Sequence, residues 1–282
     1  MKKFTIVLIV QLFISLIAYG QQRIKYGSNN GKYVSIQNSK IYYEEYGKGI
    51  PLILLQGGMG SIADFSLCIP GFSKKFHVIA PDMPGQGRSQ LADSMSYELL
   101  ADFISIFIDK LKLDSAYVVG WSDGGNAALI LANKRPDKIK KVLVAGSNYK
   151  RSGFPSIEND TTDFVRLINS PEFEILDKEE LDVYRGLYPG RDWRKFFIDI
   201  NKMWSQKIYY PAAVLEGIQI PVMIVLGDRD AVTLEHGIEM RNLVKGSQFC
   251  VLPDTTHRVF HEKPNLIVQI AISFFENLKN PL

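Results

Sequence analysis

Residues 116–125 read AYVVGWSDGG and are followed at once by NAALILA at residues 126–132. The first part is a short β-branched run typical of a strand, and the second has the composition of a helix. Between them lies the pattern G-x-S-x-G, from Gly120 to Gly124. A sharp strand-to-helix turn of this kind exposes the serine hydroxyl, and small flanking residues let the strand and the helix approach closely. We therefore predict that Ser122 is a nucleophile.

Short apolar runs recur along the chain on both sides of this turn, separated by segments of helical length. The later runs are continuously apolar, as in strands that are covered on both faces. The predicted strands are Tyr33–Ile36, Lys40–Tyr46, Leu52–Leu55, Val78–Ala80, Tyr117–Gly120, Val142–Ala145, Val222–Leu226 and Gln248–Leu252. The predicted helices among them include Tyr97–Leu111, Gly124–Lys134 and Pro264–Leu278. This alternation predicts an α/β protein with a mostly parallel eight-stranded sheet and helices on both faces.

One stretch, residues 148–213, interrupts the alternation after the sixth strand. It contains no convincing core strand and is rich in aromatic residues. Asp177–Gly186 and Trp193–Gln206 have a helical pattern. We predict a helical insertion that forms a lid over a site at the carboxyl ends of the strands, with two or three of its aromatic side chains facing the pocket. The α/β core then consists of residues 21–147 and 214–282.

A serine nucleophile needs a base, and the chain has four histidines. His257 follows the last predicted strand directly, so it lies at the same sheet edge as Ser122. His261 shares that loop but resembles a residue at the start of a helix. His77 is predicted to be structural, and His236 to lie in a surface helix. We therefore favour His257 as the base.

The base in turn needs a carboxylate to orient it and to stabilise its charged form. Asp228 and Asp230 both follow the strand Val222–Leu226, and either is chemically suitable. Asp230 lies further into the loop and can turn towards the histidine loop, whereas Asp228 is suited to support the turn or to pair with Arg229. We favour Asp230.

The resulting order of serine, aspartate and histidine resembles that of the α/β-hydrolase fold family. Three further blocks support the resemblance, which spans nearly all of the chain after residue 20: LLQGG at residues 54–58, DMPGQGRS at residues 82–89, and the region from Pro253 to Pro264. The resemblance implies an oxyanion hole made by the backbone N–H groups of Gly58 and Asp123. The sequence departs from the family at Gln56, where histidine is common. We interpret Gln56 as a residue that supports the loop.

A closer likeness concerns the residue after the nucleophile. Residues 120–125 together with VKGS at residues 244–247 are similar to the valacyclovir-hydrolase type of amino-acid-ester hydrolase. That resemblance implies that the Asp123 carboxylate contributes to binding a positively charged substrate group. The alternative is a surface aspartate at the start of a helix, where negative charge is favourable in any case.

These residues predict a serine hydrolase that cleaves a small ester, amide or lactone in two acyl-transfer steps. The alternatives are a hydrolase of carbon–carbon bonds or a cofactor-free perhydrolase with the same three residues, and a non-catalytic ligand-binding protein on the same fold. We expect a small-molecule substrate, and neither a metal nor a cofactor is implied. The oligomeric state stays open.

Composition and the first residues bear on where the protein acts. The chain has 282 residues with 33 basic and 30 acidic side chains, and this near balance gives no indication of a nucleic-acid partner. Residues 1–20 combine Lys2 and Lys3 with an apolar run and small residues at the end, as in a cleaved export signal. We predict a periplasmic or extracellular protein without membrane contact, the alternative being an uncleaved anchor. Cys68 and Cys250 are expected to be free thiols rather than a disulfide.

Overall fold

The computed structural model describes residues 23–155 and 192–277, together with the short stretches 165–166, 169–170 and 186–187. The predicted export signal, residues 1–20, lies outside these residues. The predicted helix Asp177–Gly186 also lies outside them, apart from its last residue. The insertion, residues 148–213, is described chiefly at its two ends.

Eight strands of the described residues form one sheet in the order β1-β2-β4-β3-β5-β6-β7-β8. The pairs β1/β2 and β2/β4 are antiparallel, and the remaining neighbours are parallel. The mostly parallel eight-stranded sheet predicted from the sequence is confirmed. The strands are β1 Lys32–Ile36, β2 Ser39–Tyr46, β3 Ile50–Leu55, β4 Phe76–Pro81, β5 Ala116–Trp121, β6 Ile139–Ala145, β7 Val222–Gly227 and β8 Gln248–Leu252.

Helices cover both faces of this sheet. The described α-helices are Ile69–Phe72, Tyr97–Lys110, Asp123–Lys134, Trp193–Trp204, Ala212–Glu216, Leu234–Leu243, Val259–Glu262 and Pro264–Glu276. Short 3₁₀ turns cover Ile62–Phe65 and Arg151–Gly153. Each long helix predicted within the described residues is present, with bounds that differ by one or two residues.

The central strand β3 shows why its sequence is continuously apolar. Ile53 and Leu55 belong to the core on the side of the helices that follow β4 and β5. Leu52 and Leu54 point the other way and belong to the core on the side of the C-terminal helix. Because successive side chains of a strand alternate between faces, a strand covered on both faces has no polar positions.

The parallel strands bring three loops to one edge of the sheet. Trp121 at the end of β5 is paired with Ala145 at the end of β6, and Gly227 at the end of β7 is paired with Leu252 at the end of β8. The residues that follow β5, β7 and β8 therefore emerge side by side, and they contain the predicted serine, aspartate and histidine.

The two ends of the insertion are joined to each other. Lys150 and Ile208 form an isolated antiparallel bridge. The Arg151 N–H also donates to the Lys207 carbonyl at 3.2 Å. The insertion therefore leaves the core and returns to it at adjacent points, next to the carboxyl end of β6.

Two further features concern the environment of the chain. No helix within the described ranges is both long enough and apolar enough to cross a membrane. Cys68 and Cys250 are both free, as predicted. Cys68 is fully buried, and burial raises the pKa of its thiol.

Candidate active site

Ser122 lies at the turn between β5 and the helix Asp123–Lys134 in a strained conformation, with φ 51° and ψ −117°. Its backbone N–H donates to the Ala145 carbonyl at 2.8 Å, which fixes the turn against β6. A Cβ at Gly120 would lie 2.6 Å from the Gly124 carbonyl oxygen, and one at Gly124 would lie 2.3 Å from that of Leu55. The close strand–helix approach predicted from G-x-S-x-G is confirmed.

His257 and Asp230 form a hydrogen-bonded pair, with 2.7 Å between His257 Nδ1 and Asp230 Oδ1. The Asp230 side chain is fully buried and also accepts from the Val232 N–H at 2.9 Å. Because a carboxylate only accepts, Nδ1 carries the proton, and Nε2 is left to take one from a nucleophile. Asp228 instead accepts from the Thr255 N–H at 2.9 Å and supports the histidine loop.

Three neighbours fix the position of His257. Trp121 Nε1 donates to the His257 carbonyl at 2.8 Å. The ring lies over Gly146, where φ is +60° and a Cβ would be 2.7 Å from His257 Cε1. The Phe154 ring packs edge-on against the imidazole, with 5.3 Å between ring centroids. These contacts leave the imidazole little freedom of orientation.

The serine and the histidine line the same cavity, which has a volume of about 320 Å³. The lining residues are Gly58, Tyr97, Ser122, Asp123, Asn148, Phe154, Trp204, Tyr209 and His257. Among the described residues, no hydrogen bond joins the Ser122 and His257 side chains. Catalytic hydrogen bonds are commonly long or poorly aligned without substrate and tighten when substrate binds.

The cavity also contains both residues predicted to form the oxyanion hole. Asp123 is the first residue of its helix, so its N–H has no acceptor within the helix. Gly58 follows β3, and a Cβ there would lie 2.5 Å from Trp204 Cζ2 and 2.3 Å from Asp123 Oδ2. Glycine at position 58 therefore lets the Trp204 ring and the Asp123 carboxylate lie directly against the loop after β3.

The interpretation of Asp123 as a surface aspartate is wrong. The residue is buried, and its carboxylate accepts from the Tyr97 hydroxyl at 2.7 Å and from Trp204 Nε1 at 2.8 Å. Burial raises the pKa of the Asp123 carboxyl, while these two donors act in the opposite direction. Neither Tyr97 nor Trp204 stands in a recognisable motif. The one indication in the sequence is the aromatic content of the insertion that contains Trp204.

Gln56 supports its loop, as expected from the sequence. The side chain is buried between the ends of β3 and β4. In the orientation that satisfies its neighbours, the amide nitrogen donates to the Pro81 carbonyl at 2.9 Å and the amide oxygen accepts from the Met83 N–H at 2.7 Å. The loop that holds Gly58 is thereby connected to the loop after β4.

The other histidines lie outside the His257–Asp230 pair. His236 lies, as predicted, in a helix at the surface, Leu234–Leu243, but its own side chain faces inward: it is buried, and its Nε2 accepts from the Tyr149 N–H at 3.3 Å. His261 belongs to the short helix after His257, with 3.7 Å between its Nε2 and Asp64 Oδ1. Within the described residues, no group of three or more His, Cys, Asp and Glu side chains is arranged to hold a metal ion.

Comparison with known proteins supports the fold described above. The model of the α/β hydrolase fold family matches residues 50–173, which include β3 to β6 and the turn at Ser122. The chain has the α/β-hydrolase fold, and the family model together with the curated hydrolases that align with the chain supports a hydrolase. The strands outside the matched range, β1, β2, β7 and β8, complete the strand order described above.

Several known hydrolases are similar to this chain. The chain is 26% identical to human serine hydrolase BPHL over 243 residues, which cover 80% of this chain and 79% of that protein. It is 34% identical over 106 residues to 2-hydroxymuconate semialdehyde hydrolase of a Pseudomonas species, covering 36% and 38% of the two chains. The solved structure of an enol-lactonase from Burkholderia xenovorans superposes with a TM-score of 0.70 at 17% identity, over 87% of this chain and all of that one.

Proposed function

We propose that this chain is a serine hydrolase that cleaves a small carboxylic ester, amide or lactone through an acyl-enzyme on Ser122. The observation that carries the proposal is the contact of 2.7 Å between His257 Nδ1 and Asp230 Oδ1 beside the cavity that Ser122 lines. A buried carboxylate that fixes the tautomer of a histidine beside the cavity that a half-buried serine lines is the arrangement that activates a hydroxyl nucleophile.

In the proposed reaction, Ser122 Oγ attacks the substrate carbonyl carbon and its proton passes to His257 Nε2. The carbonyl oxygen becomes negative and is held by the N–H groups of Gly58 and Asp123, each worth about 3 kcal/mol in such sites. The carbon–oxygen or carbon–nitrogen bond then breaks, and His257 gives the proton to the leaving group. Water, deprotonated by His257, attacks the acyl-enzyme and restores the Ser122 hydroxyl with release of the acid.

The cavity is consistent with a small substrate. A volume of about 320 Å³ is near the lower end of ligand pockets, and aromatic side chains from the insertion form much of its wall. Phe154, Trp204 and Tyr209 are the aromatic residues of the described parts of the insertion that line it. We infer that the insertion acts as the lid that selects substrates, in keeping with the two or three pocket-facing aromatics expected from the sequence.

The Asp123 carboxylate lines the cavity and is a candidate contact for a positively charged substrate group. Its two hydrogen bonds use one lone pair on each oxygen, so one on each oxygen remains. Comparison of aminoacyl p-nitrophenyl esters with plain p-nitrophenyl esters tests this role. Equal rates on both, or a preference that survives in Asp123→Asn, would rule the contact out.

Cleavage of a carbon–carbon bond by the same residues is the second candidate function. The similarity to 2-hydroxymuconate semialdehyde hydrolase, at 34% over 106 residues, favours it. Turnover of a vinylogous 1,5-diketone of the kind formed by ring cleavage, with kcat/KM above that for p-nitrophenyl esters, would favour this candidate over the ester hydrolase.

Labelling with a fluorophosphonate probe tests the nucleophile. We expect one adduct on Ser122, located by mass spectrometry, and none in Ser122→Ala. Asp230→Asn is expected to lower kcat by about 10⁴, because the amide no longer fixes the histidine tautomer. Asp228→Asn is the matched control in the same loop and should stay within a few fold of wild type. A folded protein that neither reacts with the probe nor hydrolyses esters would refute the proposal.

We also propose that residues 1–20 are removed during export, with cleavage near Gly20. The N-terminal sequence of the protein recovered from periplasmic and culture fractions tests this. A chain that keeps Met1 and sediments with membranes would instead support an uncleaved anchor.

A further inference from the structure

A second cavity, of about 490 Å³, lies beside the catalytic one. Phe154 lines both cavities, and its ring packs against His257 with 5.3 Å between centroids. The Phe154 side chain is therefore a wall that the two cavities share. The charged side chains of the second cavity are Lys150, Arg151 and Lys207, and none of its described lining residues is acidic.

The three cations differ in how their charge is balanced. Lys150 Nζ pairs with Glu239 Oε1 at 2.6 Å, so its charge is compensated. Arg151 and Lys207 have no acidic partner among the described residues, and their backbones are joined by the hydrogen bond from the Arg151 N–H to the Lys207 carbonyl. Within the part of the chain that the structure describes, the cavity therefore has two positive charges that no carboxylate compensates.

The position of the Arg151 side chain is fixed before any ligand binds. Its Nη1 donates to the Ser205 carbonyl at 3.0 Å, which leaves further N–H groups of the guanidinium free to bind a ligand. Its backbone N–H donates to the Lys207 carbonyl, which holds the two residues side by side. A carboxylate between two such cations relieves their repulsion and gains charge-assisted hydrogen bonds.

We propose that this second cavity binds a carboxylate of the substrate, remote from the bond that is cleaved. The inference deepens the proposed function and rests on it, because it assigns the substrate class: an ester with a free carboxylate on its acyl or its alcohol side. Arg151 and Lys207 are the residues that bind the carboxylate, and Phe154 separates it from the reacting carbonyl group.

Matched pairs of esters test the inference. One series has a half-ester of a dicarboxylic acid against the neutral ester of equal length, and the other places the carboxylate on the alcohol. We expect wild type to prefer the anionic member in one series. Arg151→Gln and Lys207→Gln should each lower the ratio of anionic to neutral kcat/KM about tenfold, mainly through KM. Lys202→Gln removes an equal charge from an exposed helix position outside the cavity and should leave the ratio unchanged.

A binding measurement separates this inference from the proposed function. Adipate and glutarate should bind to Ser122→Ala by calorimetry, and the binding should weaken about tenfold when Arg151→Gln is added. Such binding in a protein that hydrolyses no ester would refute the proposed function and support the cavity. Absence of dicarboxylate binding together with equal rates in both ester series, or an equal effect of Lys202→Gln, would overturn the inference. Loss of binding to phosphatidylglycerol vesicles in the Arg151 and Lys207 variants, without dicarboxylate binding, would overturn it in favour of a membrane contact.

Discussion

Gly146→Ala is the substitution that most directly tests how His257 is held. Gly146 follows β6 with φ +60°, and a Cβ built on it would lie 2.7 Å from His257 Cε1 and 2.8 Å from His257 Nδ1. Ordinary contacts of a Cβ begin at 3.4 Å, so the imidazole ring would have to retreat by about 0.7 Å. The ring would then lose its alignment with both Asp230 and Ser122.

Two separate effects follow from the added methyl group. A non-glycine residue in the left-handed region costs about 1–2 kcal/mol of stability. A misplacement of 1 Å in a catalytic group costs about 100-fold in rate, so a retreat of this size should lower kcat/KM by roughly 10- to 100-fold. The loss should be in kcat, because Gly146 does not line the cavity.

Hydrolysis of p-nitrophenyl acetate and urea unfolding measure the two effects separately. Gly246→Ala is the matched control, since Gly246 has φ +71° but precedes β8 at the opposite edge of the sheet. It should share the loss of stability and keep full activity. A Gly146→Ala enzyme within threefold of wild type would refute the reasoning, as would an equal activity loss in the Gly246 variant.

Three further substitutions test the surroundings of the site. Trp204→Phe keeps a ring but removes the N–H that donates to the buried Asp123 carboxylate. The free energy of unfolding should fall by about 1–3 kcal/mol, and KM should rise. An unchanged KM would contradict this. Gln56→Leu removes the amide that bonds to the buried Pro81 carbonyl and the Met83 N–H. The free energy of unfolding, measured by urea titration, should fall by about 3 kcal/mol. A change below about 0.5 kcal/mol would show that the amide is not needed. Burial raises the pKa of Asp64 to about 7, against about 4 in an unfolded chain. The contribution of the Asp64 carboxyl to stability is therefore largest below pH 4 and is lost as the pH rises through 7. The Asp64→Asn variant should accordingly lose less stability than wild type between pH 5 and pH 8. Parallel curves of unfolding free energy against pH for the two proteins would contradict this.

Much of the fold is predictable because its decisive interactions are local. The strands β5 and β7 are buried on both faces, and their apolar runs are unbroken in the sequence. The turn at Ser122 is recognisable because close approach of strand and helix admits only small residues at Gly120 and Gly124. Patterns of this kind depend on neighbours within a few positions, so one sequence is enough to reveal them.

The surroundings of Asp123 were not predictable for the opposite reason. Its two donors come from Tyr97, 26 positions earlier, and from Trp204, 81 positions later. Periodicity in the sequence holds no information on pairings over such distances. His236 is a similar case, because it is buried by contact with Tyr149 at the start of the insertion rather than by its own helix.

The bridge between Lys150 and Ile208 has a consequence for how this enzyme can change over evolutionary time. Because the bridge joins the two ends, the polypeptide between them is a closed loop. Doubling the length of such a loop adds only about 0.6 kcal/mol to the entropic cost of closing it. Insertions or exchanges between these ends that keep Phe154 and Trp204, which contact His257 and Asp123, therefore cost little closure entropy. New substrate specificities can therefore arise by substitutions and insertions within this one segment.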